Sequence, residues 1–275
     1  MAIDGEAGTA GGTHGTARGA GRGGARGAAP HRKTARKAAP TARLPDVRLP
    51  PLRPYGGSDL EPEGDYDGLE FTEADFVGQR ARGARFMDCR IQRCALDEAR
   101  LSRVRFVDCV LDGIRGVGTD LAEATLRDVE LTDARLGGVQ LHGGVLERVV
   151  VRGGKIDYLN LRKASLRDVT FEGCVLSEAD FGGASLERVV FRDCALRRVD
   201  FTAARMKDVD LREAAELDVE RGIERLSGAV ISPAQLLDLA PAFAAQLGVR
   251  VEAVAVGRGG CGSGVGSVRR GGVAG

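Results

Sequence analysis

Six cysteines and three histidines are the residues of this 275-residue chain whose types suit metal ligation or nucleophilic chemistry. Their placement argues against both. A zinc site needs Cys or His ligands at short spacing, yet no C-x-x-C pair occurs and no histidine accompanies Cys89, Cys94, Cys109, Cys174 or Cys194. His14 and His31 lie in a Gly- and Ala-rich tail, and His142 stands alone. No nucleophile–base pair, phosphate-binding loop or framed pair of carboxylates is recognisable. The reading is of a chain without catalytic, cofactor-binding or metal-binding residues, so function must come from what its surface presents.

What the five cysteines share is a slot in a five-residue period. Every fifth residue from Phe71 to Leu211 is bulky and apolar, an unbroken register of 29 positions interrupted only by Ala81 and Gly116. The residue two before each of these centres is Ala, Cys, Val, Gly or Thr in 25 of the 29 units, and all five cysteines occupy it. The 24 Lys/Arg and 25 Asp/Glu of residues 69–213 fall wholly in the other three positions. A helix repeats near 3.6 residues and a strand near 2, so neither gives this pattern. A backbone that turns one corner per pentad does. Its coils stack with hydrogen bonds between them as in a parallel sheet, and each coil buries its face only against its neighbours.

The stretches ADF (74–76), ALDEA (95–99), DLAEATL (120–126), ADFGGASL (179–186) and VDFTAARM (199–206) resemble the pentapeptide repeat family of bacterial proteins, with its A-(D/N)-L-x-x unit. The resemblance covers 69–213 and implies an all-β solenoid, a right-handed quadrilateral parallel β-helix of about seven coils with four pentads in each. Phe71, Phe86, Phe106, Leu126, Leu146, Phe171, Phe181, Phe191 and Phe201 are then core centres. Residues twenty apart stack on one face. Gly116 would leave an underpacked coil or slight bend. Cys89 would stack on Cys109 and Cys174 on Cys194, read as free buried thiols in a reducing cytosol. On one face Asp128, Arg148, Asp168, Arg188 and Asp208 alternate in sign up the stack, a structural charge ladder. Asp88, Asp108 and Asp128 are three like charges in line. Arg80, Arg90 and Arg100 enrich the early coils in cations.

The flanks differ in composition. Residues 1–54 carry a net charge of +7 and few large apolar side chains, and read as a disordered basic tail. Residues 55–68 are an acidic lead-in to the first coil, and 257–275 a disordered Gly-rich tail. Residues 214–256 read as a C-terminal helical cap and possible dimerisation segment. Within it Ser232 is an N-cap, Pro233 the first helical residue and Gln235, three after the cap, completes a capping box. Leu236, Leu239, Phe243 and Leu247 share a helical face, Pro241 should kink or split the helix near Leu237, and 249–256 alternate like a strand.

Three functions follow as expectations. The first is a non-catalytic scaffold presenting a rigid surface to an unknown protein partner. The second comes from the resemblance: quinolone-resistance pentapeptide proteins protect DNA gyrase by imitating duplex charge, which requires an acidic column that the nearly neutral repeats supply poorly. The third is nucleic-acid binding through the basic N-terminal tail. No apolar run is long enough for a signal peptide or membrane span, so the expectation is a cytoplasmic protein with no membrane contact. It would be a monomer or a homodimer formed through the C-terminal segment.

Overall fold

At every fifth residue from Glu63 to Asp208 the backbone takes a positive φ, between 49° and 74°. These thirty left-handed residues are the corners that the period-five pattern demands, and twenty of them carry a side chain rather than being glycine. The structure, a computed structural model, describes residues 41–57 and 59–252. It is a parallel β-solenoid in which residues twenty apart pair, as in Leu146 with Leu166 and Val151 with Phe171. Corner N–H groups along the repeats donate to carbonyls of the next coil, for example from Glu98 to Val117 and from Tyr158 to Ser177, both at 2.8 Å.

The centres form four columns, one per face. On the first two faces, strands such as Arg105–Asp112, Thr125–Thr132, Val145–Arg152, Ser165–Glu172 and Ser185–Arg192 bend round a shared corner within one 13-stranded sheet. The third face is a six-stranded sheet that includes Arg115–Val117, Arg135–Gly137 and Lys155–Asp157. The fourth is held by single-residue bridges through Asp120, Gln140, Asn160, Asp180 and Asp200. There the residue before the centre has a defined task. Asp120, Asn160, Asp180 and Asp200 each accept a hydrogen bond from the backbone N–H two residues on, at 2.7–3.1 Å. Arg80 and Arg100, at the same position, have no acceptor to offer.

The coils continue beyond the recognisable repeats. Ten rungs stack on the second face, giving about nine turns rather than seven. Asp65–Asp67 pairs with Arg85–Met87, and Tyr66 is buried with its ring 4.9 Å from that of Phe86. The acidic lead-in is therefore a coil. Past Leu211 a register shift pairs Arg192 with Glu213 and Leu196 with Leu217, 21 residues apart. One more coil follows, through Glu216–Arg221 and Ala229–Val230. The bulge moved the centre from 216 to 217, which hid this coil from a strict five-residue count.

Residues 41–54 are ordered, contrary to the reading of 1–54 as one disordered tail; residues 1–40 and 253–275 lie outside the described residues. Ala42 is buried, the Arg43 N–H donates to Asp168 Oδ1 at 3.1 Å, and Arg53–Pro54 pairs with Leu69–Glu70. The segment thus runs back along the solenoid as a strap. Strand alternation points Val150, Thr170 and Val190 outward on the second face, yet all three are buried, beside the strap's Arg43 contact. Val47, Leu49 and Leu52 are half-buried, and Pro45, Pro50, Pro51 and Pro54 preset the extended backbone, so little entropy opposes ordering.

At the other end, α1 (Pro233–Gln246) starts with a complete capping box: Ser232 Oγ accepts from the Gln235 N–H, and Gln235 Oε1 accepts from the Ser232 N–H. Gln235 Nε2 donates to the carbonyls of Leu211 at 2.7 Å and Ala214 at 3.3 Å, satisfying backbone that the last coil leaves open. Of the expected apolar face only Leu239 and Phe243 pack; Leu236 and Leu247 are exposed. The helix runs unbroken through Pro241, and the solvent-exposed Leu237 lies four residues before it, where water can take the carbonyl that proline leaves unbonded. Residues 249–252 form no strand.

Inside, aromatic rings stack at both ends, as in Phe86 with Phe106 at 4.9 Å and Phe171 with Phe191 at 5.0 Å. Between Phe106 and Phe171 no centre is aromatic. An apolar cavity of about 70 Å³ lies there, lined by Leu111, Ile114, Leu126, Leu136 and Leu141 among others. Gly116 leaves no hole of its own. A Cβ there would meet Thr119 Oγ1 at 2.6 Å, and that buried hydroxyl donates to the Leu96 carbonyl at 2.7 Å.

Corner strain gives a paired prediction. Ala203 sits at φ 58° with only a methyl for a side chain, and at Gly138, φ 66°, a Cβ would meet nothing closer than the Gly118 backbone at 3.8 Å, an ordinary contact. Ala203→Gly should raise stability to chemical denaturation and Gly138→Ala lower it, each by about 1 kcal/mol. Shifts of the same sign would refute the strain account.

Candidate interaction surface

With nine turns of regular backbone, the outward side chains occupy rungs about 4.8 Å apart. The corner between the first two faces carries Asp88, Asp108, Asp128, Arg148, Asp168, Arg188 and Asp208 in one column. Arg148 clamps Asp128 with Nε to Oδ1 at 2.6 Å and Nη2 to Oδ2 at 2.7 Å. Arg188 clamps Asp168 in the same way, at 2.7 and 2.8 Å. Two parallel N–H···O bonds per pair are the strong, geometrically specific form of ion pair. Asp168 is also the acceptor for the strap's Arg43 N–H, and only 4% of its side chain is exposed.

A second column flanks the first. Arg148 Nη1 reaches Glu147 Oε1 at 2.9 Å, Arg188 Nη1 reaches Glu187 Oε1 at 2.6 Å, and Lys207 Nζ joins Glu187 at 2.8 Å. Arg127 and Arg167 lie 3.7 and 3.6 Å from Glu147 and Glu187. Sequence reasoning named the corner column and missed this one. The signal was present: Arg127, Glu147, Arg167, Glu187 and Lys207 alternate in sign at the same spacing of twenty. The strap's backbone donor left no such trace.

The lower, all-acidic part of the column behaves differently. Burial, and then the charges of Asp128 and Asp88, raise the pKa of Asp108 above the usual carboxylate range. The Arg188 guanidinium holds Asp168 below that range; burial opposes this and the Arg43 N–H adds to it.

The remaining sequence-singled residues lie inside or apart. Phe71, Phe86, Phe106, Leu126, Leu146, Phe171, Phe181, Phe191 and Phe201 are all buried. The five described cysteines are buried free thiols, and Cys174 N–H points at Cys194 Sγ, 3.4 Å away. Their partner sulfurs and burial push Cys109 and Cys174 well above the ordinary thiol range, so both stay protonated and inert. His142 is exposed on the fourth face, one residue after the centre Leu141. Among the described residues no group of three or more His, Cys, Asp or Glu side chains could hold a metal ion. No helix among them is long and apolar enough to cross a membrane.

A sequence profile described as a pentapeptide repeat region matches residues 84–161 and 155–218. The chain belongs to the pentapeptide repeat family. Solved structures matching this pentapeptide repeat protein include a trypsin-treated QnrB1, a plasmid-mediated fluoroquinolone resistance protein. That match has 15% identity and a TM-score of 0.35, and covers 73% of this chain and 97% of that one. Another is HetL, a pentapeptide repeat protein involved in heterocyst differentiation regulation, from the cyanobacterium Nostoc sp. strain PCC 7120. It is 20% identical with a TM-score of 0.28, and covers 64% of this chain and 92% of that one. A search of curated proteins finds no match to the sequence.

The two aspartates give opposite pH signatures. Asp168, with a depressed pKa, adds stability at neutral pH that is lost as pH falls below about 4 and through its folded value. Asp108, with a raised pKa, opposes folding at neutral pH and is relieved as pH falls. Asp168→Asn should therefore destabilise at pH 7 by about 1.5–3 kcal/mol. Asp108→Asn should stabilise by a few tenths of a kcal/mol, about what a like-charge neighbour costs. Denaturation midpoints at pH 7 and pH 3 check both; destabilisation by Asp108→Asn at pH 7 would contradict the assignment.

Proposed function

We propose that this pentapeptide repeat protein is a non-catalytic scaffold whose rigid solenoid presents a fixed surface to a protein partner. The observation that supports it best is the double charge column. Its side chains are locked coil to coil by bidentate pairs, so the surface is preorganised and loses little freedom on docking. The five buried thiols favour a reducing compartment, and a cytoplasmic protein fits that.

Imitation of duplex DNA toward a gyrase is the less favoured reading. A mimic needs exposed acid at close spacing, since duplex DNA carries one charge per about 1.7 Å. Here Arg148 and Arg188 neutralise the column and Asp168 is buried. Nucleic-acid binding through residues 1–54 is weakened as well, because 41–54 lie along the solenoid. α1 leaves Leu236, Leu237 and Leu247 exposed, a surface that a second copy would cover in a C-terminal homodimer. We favour a cap over a dimerisation segment, because Gln235 already serves the last coil.

Affinity capture from a bacterial lysate tests the scaffold, with the full chain beside a form lacking residues 1–40. A protein retained equally by both is the expected result. Nucleic acid captured by the full chain alone would move function to the tail. Gyrase supercoiling should proceed unimpeded in excess protein; inhibition would restore the mimic. Sedimentation should show a monomer, and a dimer abolished by Leu237→Glu would reassign α1.

A further inference from the structure

Most outward cations of the solenoid are consumed by acids on neighbouring rungs. Arg115 and Arg135 are not. They stand on adjacent rungs of the third face, paired backbone to backbone, and neither makes an ion pair or side-chain hydrogen bond among the described residues. Lys155 follows on the next rung, with Nζ 2.5 Å from Asp157. Like charges directly opposite on neighbouring strands repel, and the nearby Asp133 and Asp157 pair with neither arginine.

Other unpaired cations stand elsewhere, including Arg80 and Arg100. Arg115 and Arg135 differ in lining a hollow. Arg135 and Lys155 border a groove of about 590 Å³ whose lining includes Val117, Leu136 and Gly137. Arg115 and Arg135 border an adjoining one of about 320 Å³, with Arg93, Gly113 and Asp133. Val117 in its lining is 64% exposed. The groove is open because Gly137 has no side chain, and folding does not require that. Its φ lies outside the left-handed region, and a Cβ would approach nothing closer than Val117 Cγ2, at 3.9 Å. Glycine weakens a strand, and in a strand it often marks close approach of another backbone.

We propose that this groove docks a short extended segment of a partner protein carrying two carboxylates on alternate residues and an apolar side chain between them. The inference rests on the scaffold reading and names the partner's chemistry. Carboxylates two residues apart in a strand lie about 7 Å from each other. That spacing suits guanidinium groups on rungs about 4.8 Å apart whose like charges splay them outward. Each can take a carboxylate bidentately. The intervening apolar residue meets Val117 and Leu136. A nucleic acid fits less well, because the two hollows offer only two cations without a partner, too few to follow a run of phosphates.

The test is fluorescence anisotropy of the full chain with a labelled octapeptide of alternating Glu and Val, its Lys/Val counterpart, and an oligothymidylate of eight nucleotides. The acidic peptide alone should bind, with salt-sensitive affinity. The double variant Arg115→Glu/Arg135→Glu should weaken it at least about tenfold, roughly one lost charge-assisted contact. Gly137→Leu, which fills the groove where there is space for a side chain, should do the same with an unchanged melting temperature. Absence of acidic-peptide binding, indifference to both variants, or equal binding of the Lys/Val peptide would overturn the proposal. Preferential binding of the oligothymidylate with the same sensitivity would overturn it in favour of a nucleic-acid site. Failure here with lysate capture intact removes the groove and leaves the scaffold; failure of capture with peptide binding intact does the reverse.

Discussion

The structure depends on holding a left-handed backbone corner every fifth residue. For an L-residue that conformation costs about 1–2 kcal/mol, and glycine would avoid the cost. Only a third of the corners take that solution. The others carry side chains that point along the solenoid's edges, where several meet a counterpart one coil away. Asp128 with Arg148, Asp168 with Arg188, Glu73 with Arg93 and Arg103 with Glu123 are all corner-to-corner ion pairs. Corner strain and lateral pairing thus oppose each other within the same residues. The solenoid is stable where the pairing and the buried centres together exceed the strain.

The additions to the coil reuse that frame. The strap fixes itself on Asp168, the most buried acid of the corner column, beside the buried outward residues Val150, Thr170 and Val190 of the second face. The helix supplies Gln235 to carbonyls that have no further coil above them. At the opposite end Tyr55 and Tyr66 extend the aromatic stack onto Phe71 and Phe86, at 4.5 and 4.9 Å. Each device closes a surface that repetition leaves open.

Much of this was legible because the period is strict. One large and one small apolar residue per pentad forces a coil, and twenty-residue spacing then places the charge ladder. What escaped did so for identifiable reasons. A one-residue bulge at Glu213 shifts the centre to Leu217 and ends the countable pattern a coil early. The acids around Tyr66 disguised the first coil as a linker. In the strap, Val47, Leu49 and Leu52 are interleaved with proline and arginine, so a segment that packs resembled a tail. The groove on the third face was invisible for a different reason. Arg115, Arg135 and Gly137 are ordinary occupants of outward positions, and their importance lies in the missing partners and the missing side chain, which only the assembled faces reveal.

A scaffold made this way acts through fixed spacing, so its function stands on the rigidity of the corner pairs. The most direct measurement is a double-mutant cycle on Asp128 and Arg148, using Asp128→Asn, Arg148→Gln and the double variant, read by chemical denaturation. The account predicts a favourable coupling of about 1–2 kcal/mol, as a bidentate pair holding two strained corners should give. Additivity within about 0.3 kcal/mol would show that the corners do not support each other, and would contradict it.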